Sequence, residues 1–228
     1  MMRIFIGYDD RQPVAYNVLQ FSIISRASQP VTITPLVLGQ LPIQRRGLTP
    51  FTYSRFLVPW LCGFEGTALF LDVDMLVLSD VAQLFDLAGA SAVQVVKHKT
   101  RFEWPSVMLF NCAHADNRCL TPEYVETANN DALLGMGWTN AIGELPADWN
   151  HLVMYDPPKA AKLVHFTAGI PCFPETKELG YATEWMNELK AAMNARPWSV
   201  LMGSSVHAKP VLERLKAKPA SSDAGKSR

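Results

Sequence analysis

TALFLDVDMLVLSD, residues Thr67 to Asp80, places two carboxylates in the middle of an apolar run. A strand covered on both faces reads as a near-continuous hydrophobic run. An ionised carboxylate left inside one costs several kcal/mol unless charge or hydrogen bonds compensate it. Asp72 and Asp74 therefore call for a compensating group. In an extended chain their i, i+2 spacing sends both side chains to one side and Val73 to the other, so a cation fits between them.

Outward from this stretch the pattern is α/β. The chain opens on "RIFIGYDD", an apolar strand running into a Gly and two acids. "RQPVAYNVLQFSIISRAS" follows, with Val14, Val18, Phe21 and Ile24 or Ser25 at helical spacing and Pro13 suited to a first turn. "VTITPLVL" reads as a second strand, and residues 39–50 as a loop before the helical "FTYSRFLVPWL". After the acidic strand come a short helix, "DVAQLFDLAG", and two strands, "SAVQVV" and "SVMLFN". A mixed, mostly parallel central sheet flanked by helices is expected. "TPEYVETANNDALL" starts a helix with Thr121 as N-cap and Pro122 at its first position. "YATEWMNELKAAMNA" reads as an amphipathic helix with Trp185, Leu189 and Met193 on one face. One domain over residues 1–218 and a disordered tail over 219–228 are expected.

Composition removes several classes of function. With 21 basic and 21 acidic residues among 228, the formal net charge is zero, so nothing suggests capture by nucleic acid or an anionic membrane. The four cysteines, Cys62, Cys112, Cys119 and Cys172, lie in no zinc-type spacing. Free thiols and no secretory leader ahead of the first strand predict a cytoplasmic enzyme. The apolar stretches are broken well short of the roughly 20 residues a membrane span needs. Peripheral membrane association stays open.

An Asp-x-Asp after apolar residues serves two chemistries. In haloacid-dehalogenase-like phosphohydrolases the first Asp is a nucleophile and the motif continues into Thr or Ser, whereas Asp74 is followed by Met75, Leu76 and Val77. In nucleotide-sugar transferases the two Asp hold a divalent metal on the donor diphosphate. The second reading is supported by four separated segments: "IFIGYDD", "FTYSRFLVP", "LFLDVDMLVLSDV", and the pair "LPADWN" and "KLVHFTAGIP". In content and order they resemble family 8 glycosyltransferases, the glycogenin-like and bacterial lipopolysaccharide-galactosyltransferase-like enzymes, over residues 3 to about 195. The likeness is nearest to a small bacterial branch rather than to glycogenin itself.

That resemblance implies a GT-A fold and assigns residues. Open α/β sheets bind ligands beyond the carboxyl ends of their strands, which places Gly7, Tyr8 and Asp9 at a crevice mouth; the likeness implies that they receive the nucleotide. Tyr53 and Arg55 stand beside a helix start, and an arginine fork suits phosphate or sugar oxygens. Trp104 and Ser106 occupy the donor-facing segment of relatives. Asn150 either bonds a sugar or ties down its loop. His165, before a Gly169-containing loop, is implied as the third metal ligand with Asp72 and Asp74, for Mn²⁺ or Mg²⁺. Two departures stand out. "HFTAGIPCF" lacks the family's Lys-Pro-Trp, leaving Lys162 and Lys177 as the nearest substitutes. No acidic segment matches the family's between Gly135 and Glu144, where Asn140 and Glu144 are the nearest polar candidates and neither is assigned as a nucleophile.

The resemblance therefore implies metal-dependent transfer of a hexose from a nucleotide-diphosphate donor, UDP-linked, to a saccharide or glycan acceptor, with retention at the anomeric carbon. The alternatives are a non-catalytic nucleotide-sugar binder and the phosphohydrolase.

Overall fold

The computed structural model describes residues 1–217, so the expected tail over 219–228 lies outside the described residues. The chain divides into two compact units, Met1–Ala192 and a second beginning at Met193, whereas the sequence reading places no boundary there. The second unit contains the helices Trp198–Met202 and Ala208–Ala217. No helix among the described residues is long and apolar enough to cross a membrane.

The first unit is built on a six-stranded sheet of order β2-β1-β3-β6-β5-β7. Its strands are β1 (Met2–Gly7), β2 (Val31–Leu36), β3 (Thr67–Leu71), β5 (Val93–Val95), β6 (Val107–Asn111) and β7 (Ile142–Glu144). β1 pairs in parallel with β2 and β3, and β5 with β7, while β6 runs antiparallel to both β3 and β5. The expected mixed sheet flanked by helices is therefore present. β3 is central and fully enclosed from Ala68 to Leu71, which is why its sequence does not alternate. β2 contains Pro35, which has no N–H to give a ladder, and it accordingly forms an edge.

A second sheet, of order β4-β9-β8, consists of β4 (Met75–Val77), β8 (His151–Leu152) and β9 (Leu163–His165). It corrects the reading of the opening stretch. TALFLDVDMLVLSD is two strands of different sheets, β3 and β4, and residues 72–74 form the bend between them. The chain changes sheets at that point, so both acids lie in the bend between strands and not on a strand face.

Helix α1 (Pro13–Arg26) starts with Pro13 in its first turn, as expected, but its inward stripe is Ala15, Val18, Leu19, Ser22 and Ile23, and Ile24 is exposed. Ser22 accounts for the rotation. Its hydroxyl donates to the Leu19 carbonyl (2.8 Å) and accepts the Val77 N–H (3.2 Å), docking α1 onto β4. Short helices α2 (Val58–Leu61) and α3 (Ala82–Phe85) follow. "TPEYVETANNDALL" forms two helices, α4 (Pro122–Thr127) and α5 (Asn130–Leu133), capped by the Thr121 and Asn129 side chains. Asn129 supplies a second N-cap that interrupts the expected single helix. Helix α6 (Ala182–Ala192) buries Trp185 and half-buries Leu189, but ends before Met193, which is exposed. Arg26 of α1 grips Glu188 of α6 with both terminal nitrogens, at 2.8 and 2.7 Å.

Candidate functional site

Sheet register assembles the site. β9 runs antiparallel to β4 with His165 opposite Met75, and the Phe166 N–H donates to the Asp74 carbonyl at 2.9 Å. This pairing carries His165, 91 positions later in the chain than Asp74, to the acidic bend. On the other side β6 pairs with β3, and the Asp72 N–H donates to the Ser106 carbonyl at 3.1 Å. Asp72, Asp74 and His165 each offer a ligand atom within 4.8 Å of the other two.

The imidazole is held from behind. Its Nδ1 lies 3.1 Å from Asn150 Oδ1, and the Asn150 amide nitrogen donates to the Glu103 carbonyl at 3.4 Å, which sets the amide orientation. Nδ1 therefore carries the proton, and Nε2 faces Asp74 Oδ1 at 3.3 Å. A neutral Nε2 lone pair against a carboxylate is repulsive, so the arrangement requires a cation or a proton between them. Burial disfavours the imidazolium, but the charges of Asp74, Asp72 and Glu103 outweigh that and raise the His165 pKa.

Asp72 is 8% exposed, and burial pushes its carboxyl up to about 6 despite the nearby Arg55. Arg55 Nη2 stands 3.0 Å from Asp72 Oδ1, yet its N–H is not aimed along the contact, and that oxygen has no hydrogen-bond partner among the described residues. Asp74 Oδ1 is likewise buried and without a hydrogen-bond partner among the described residues. Two orphaned carboxylate oxygens facing an oriented imidazole fit a divalent cation.

The cluster opens into a cavity of about 170 Å³ whose wall includes Thr49, Phe51, Thr52, Glu103, Ser106 and Thr167. Of the residues expected from the sequence, Arg55, Asp72, Asp74, Ser106 and His165 line it. Others lie elsewhere. Asn150 is fully buried beneath His165 and does not face the cavity. Tyr53 is buried, donating to Asn130 Oδ1 at 2.8 Å with Arg45 on its ring. Trp104 donates to the His98 carbonyl and packs against Arg101. Asn140 and Glu144 are exposed at the β7 edge, away from this cavity. Gly169 adopts φ +116° in the loop after His165, beside Phe173 and Thr176. Lys162 pairs with Asp148 (3.3 Å), and neither it nor Lys177 lines the cavity.

At the β1 end, Gly7 abuts Phe51: a Cβ there would meet the Phe51 ring at 2.4 Å. Asp9 is buried and gripped by the Arg11 guanidinium, whose hydrogen bonds hold its carboxyl below the usual range. Tyr8 lines a smaller hollow of about 110 Å³ with Asp10, Val37, Arg46 and Pro50. Pro50 lines this hollow, while its neighbours Leu48, Thr49 and Phe51 line the acid–imidazole cavity.

Thr49, Phe51, Thr52, Glu103 and Thr167 were not expected at the site from sequence, and of these Glu103 lies nearest the imidazole. Its carboxylate lies 3.9 Å from His165 Nδ1 and 3.4 Å from the Ser106 hydroxyl. Residues Arg101–Ser106 form a 3-10 helix, in which positions three apart eclipse, so Glu103 and Ser106 share a side that Trp104 leaves. The signal was the Glu-x-x-Ser spacing, legible only once that helix type is known.

No protein-family model matches the sequence. The chain is 36% identical over 224 aligned residues to Protein CDI of Arabidopsis thaliana, covering 82% of this chain and 86% of the relative. Among solved structures it is similar to the bifunctional glycosyltransferase WbbM (TM-score 0.65, 16% identity), covering 88% of this chain but only 51% of WbbM. It is also similar to the glycosyltransferase GlyE of Streptococcus pneumoniae (TM-score 0.63, 14% identity; 97% of this chain, 66% of GlyE). A third likeness is to the galactosyltransferase LgtC solved with donor and acceptor sugar analogues (TM-score 0.58, 12% identity; 87% of this chain, 99% of LgtC). The fold is thus that of GT-A glycosyltransferases.

Proposed function

The chain belongs to the family of Arabidopsis Protein CDI, and from its GT-A fold and its Asp72–Asp74–His165 cluster we propose that it transfers a hexose from a nucleotide-diphosphate sugar to a saccharide acceptor. The observation that carries this reading is the pair of orphaned carboxylate oxygens facing an imidazole of set tautomer at the ends of β3 and β4. Asp72, Asp74 and His165 would hold Mn²⁺ or Mg²⁺. Such an ion supplies Lewis-acid neutralisation of the departing diphosphate.

The protein's own groups divide the remaining work. Asn150 fixes which imidazole nitrogen is free to ligate. Arg55 keeps Asp72 charged and in place, and three of its contacts, to the Phe51 and Pro105 carbonyls and to Asp72, are internal. Its donor role is therefore to position Asp72. Thr49, Thr52, Ser106 and Thr167 make part of the cavity wall polar, suited to a sugar, and the hollow at Tyr8 suits the nucleoside, which we take as uridine. With Asn140 and Glu144 remote, no side chain on their segment serves as a nucleophile. Retention then follows a front-face course, in which the departing phosphate takes the acceptor proton. We assign these roles within a catalytic domain read as residues 1–218.

A panel of nucleotide sugars with Mn²⁺, scored for slow donor hydrolysis, tests the reading without an acceptor. Mn²⁺-dependent hydrolysis that disappears in Asp74→Asn is expected. UDP binding with no turnover of any donor would instead favour a non-catalytic nucleotide-sugar binder, a reading supported by a cavity wall without lysine among the described residues.

A further inference from the structure

A second cavity, about 660 Å³, adjoins the acid–imidazole cavity and shares Phe102 and Glu103 with it as a common wall. Its volume falls in the range of small-molecule sites, about 300–1,000 Å³. Two large aromatic residues on its lining, Phe102 and Tyr155, are 70% and 71% exposed. Exposed rings offer apolar area to the C–H face of a sugar. The two lysines on the same lining, Lys97 and Lys99, are exposed and form no ion pair among the described residues.

The acids of this lining are already engaged. Asp156 accepts the Leu152 N–H at 2.9 Å and lies 3.8 Å from His151 Nδ1. Glu103 is turned toward Ser106 and His165. His98, also on the lining, has a buried Nε2 with no hydrogen-bond partner among the described residues. Burial lowers its pKa, so the ring adds no positive charge to the lining. Two lysines without ion pairs and two exposed aromatic rings thus meet in one hollow.

We infer that this second cavity is the acceptor subsite and that it takes an anionic saccharide, whose phosphate or carboxylate group lies with Lys97 and Lys99 and whose ring lies against Phe102 and Tyr155. The word acceptor rests on the glycosyl-transfer reading above, while the anionic-sugar site stands without it. Glu103, on the shared wall, is the hydrogen-bond acceptor that would direct an acceptor hydroxyl toward the first cavity.

Ligand-detected NMR on the metal-free full chain, with glucose, glucuronate and glucose 6-phosphate as probes, tests the inference apart from chemistry. At least tenfold tighter binding of one or both anionic sugars over glucose is expected, and the two anions separate a carboxylate from a phosphate preference. Lys97→Ala/Lys99→Ala should abolish that preference, and Lys97→Glu/Lys99→Glu should reverse it, with Mn²⁺-dependent donor hydrolysis unchanged in both. Equal binding of the three sugars, binding of none, or a preference that survives in the double variants overturns it. If the preference appears but wild type hydrolyses no nucleotide sugar, the transfer reading fails and the anionic-sugar site remains.

Discussion

Asn150 holds its amide oxygen 3.1 Å from Nδ1 of His165, and both residues are buried. Asn150→Ala removes the group that sets the imidazole tautomer and leaves a buried N–H unpaired. We expect Mn²⁺ affinity to fall by about 10- to 100-fold and stability by about 1–3 kcal/mol. Calorimetric titration of Mn²⁺ checks this, and an unchanged affinity would show that the amide does not control the ligand.

Asp74→Asn should abolish Mn²⁺-dependent UDP binding while the chain stays folded. Without metal the variant should match or exceed wild-type stability, since one carboxylate fewer then crowds Asp72. Paired melts with chelator and with Mn²⁺ plus UDP decide it: equal stabilisation of both proteins by Mn²⁺ and UDP would leave the acid pair needing a structural cause.

Arg55→Lys is expected to damage the fold as well as donor use. Arg55 is 7% exposed and bridges two backbone carbonyls and Asp72, a geometry a single ammonium cannot reproduce. Removing one partner of a buried ion pair costs about 3–5 kcal/mol, and the lysine should cost a lesser part of that. Denaturant unfolding at pH 7.5 is the measurement; a midpoint equal to wild type would return Arg55 to a purely ligand-facing role.

The metal-free protein should lose stability as pH rises from about 4 to 7. Asp72 titrates at about 6 in the fold against 3.8 as its ordinary value, so its contribution is present below pH 3.8 and lost as pH rises through 6. By linkage this amounts to roughly 2–3 kcal/mol. His165 is raised too, and its contribution is present below its ordinary 6.5 and lost above its folded pKa. Asp9 acts oppositely: its lowered pKa gives stability above 3.8 that fades as pH falls further. Mn²⁺ should stabilise increasingly with pH, because its ligands must be deprotonated. Chelator-treated melts at pH 5 and 7.5 should show this slope in wild type and a flatter one in Asp72→Asn; identical slopes would exclude Asp72 as its source.

Gly7→Ala should displace Phe51, whose ring meets the new Cβ at 2.4 Å and which lines the acid–imidazole cavity. Overpacking of this kind costs about 1–3 kcal/mol. UDP binding should weaken along with stability, and unchanged binding in a folded variant would detach the Phe51 position from the donor site.

The α/β class, the strands β1 to β3, the Pro13 helix start, the Thr121 cap and the identity of the acid pair were legible in the sequence, because each rests on local periodicity or on a residue type with one strong preference. What lay beyond it depended on distant partners. Ser22 turned the inner face of α1 by bonding β4, and the bend at residues 72–74 exists because β3 and β4 join different sheets. Of the two roles open to Asn150, a sugar contact or a loop tie, its place against His165 gives it a supporting one, and Glu103 entered the site because a 3-10 helix eclipses it with Ser106. The residue types at the site were set by local sequence. Their roles were decided by sheet register, since the pairing of β4 with β9 and of β3 with β6 determines which side chains meet at the acidic bend, and that information is held in no single segment.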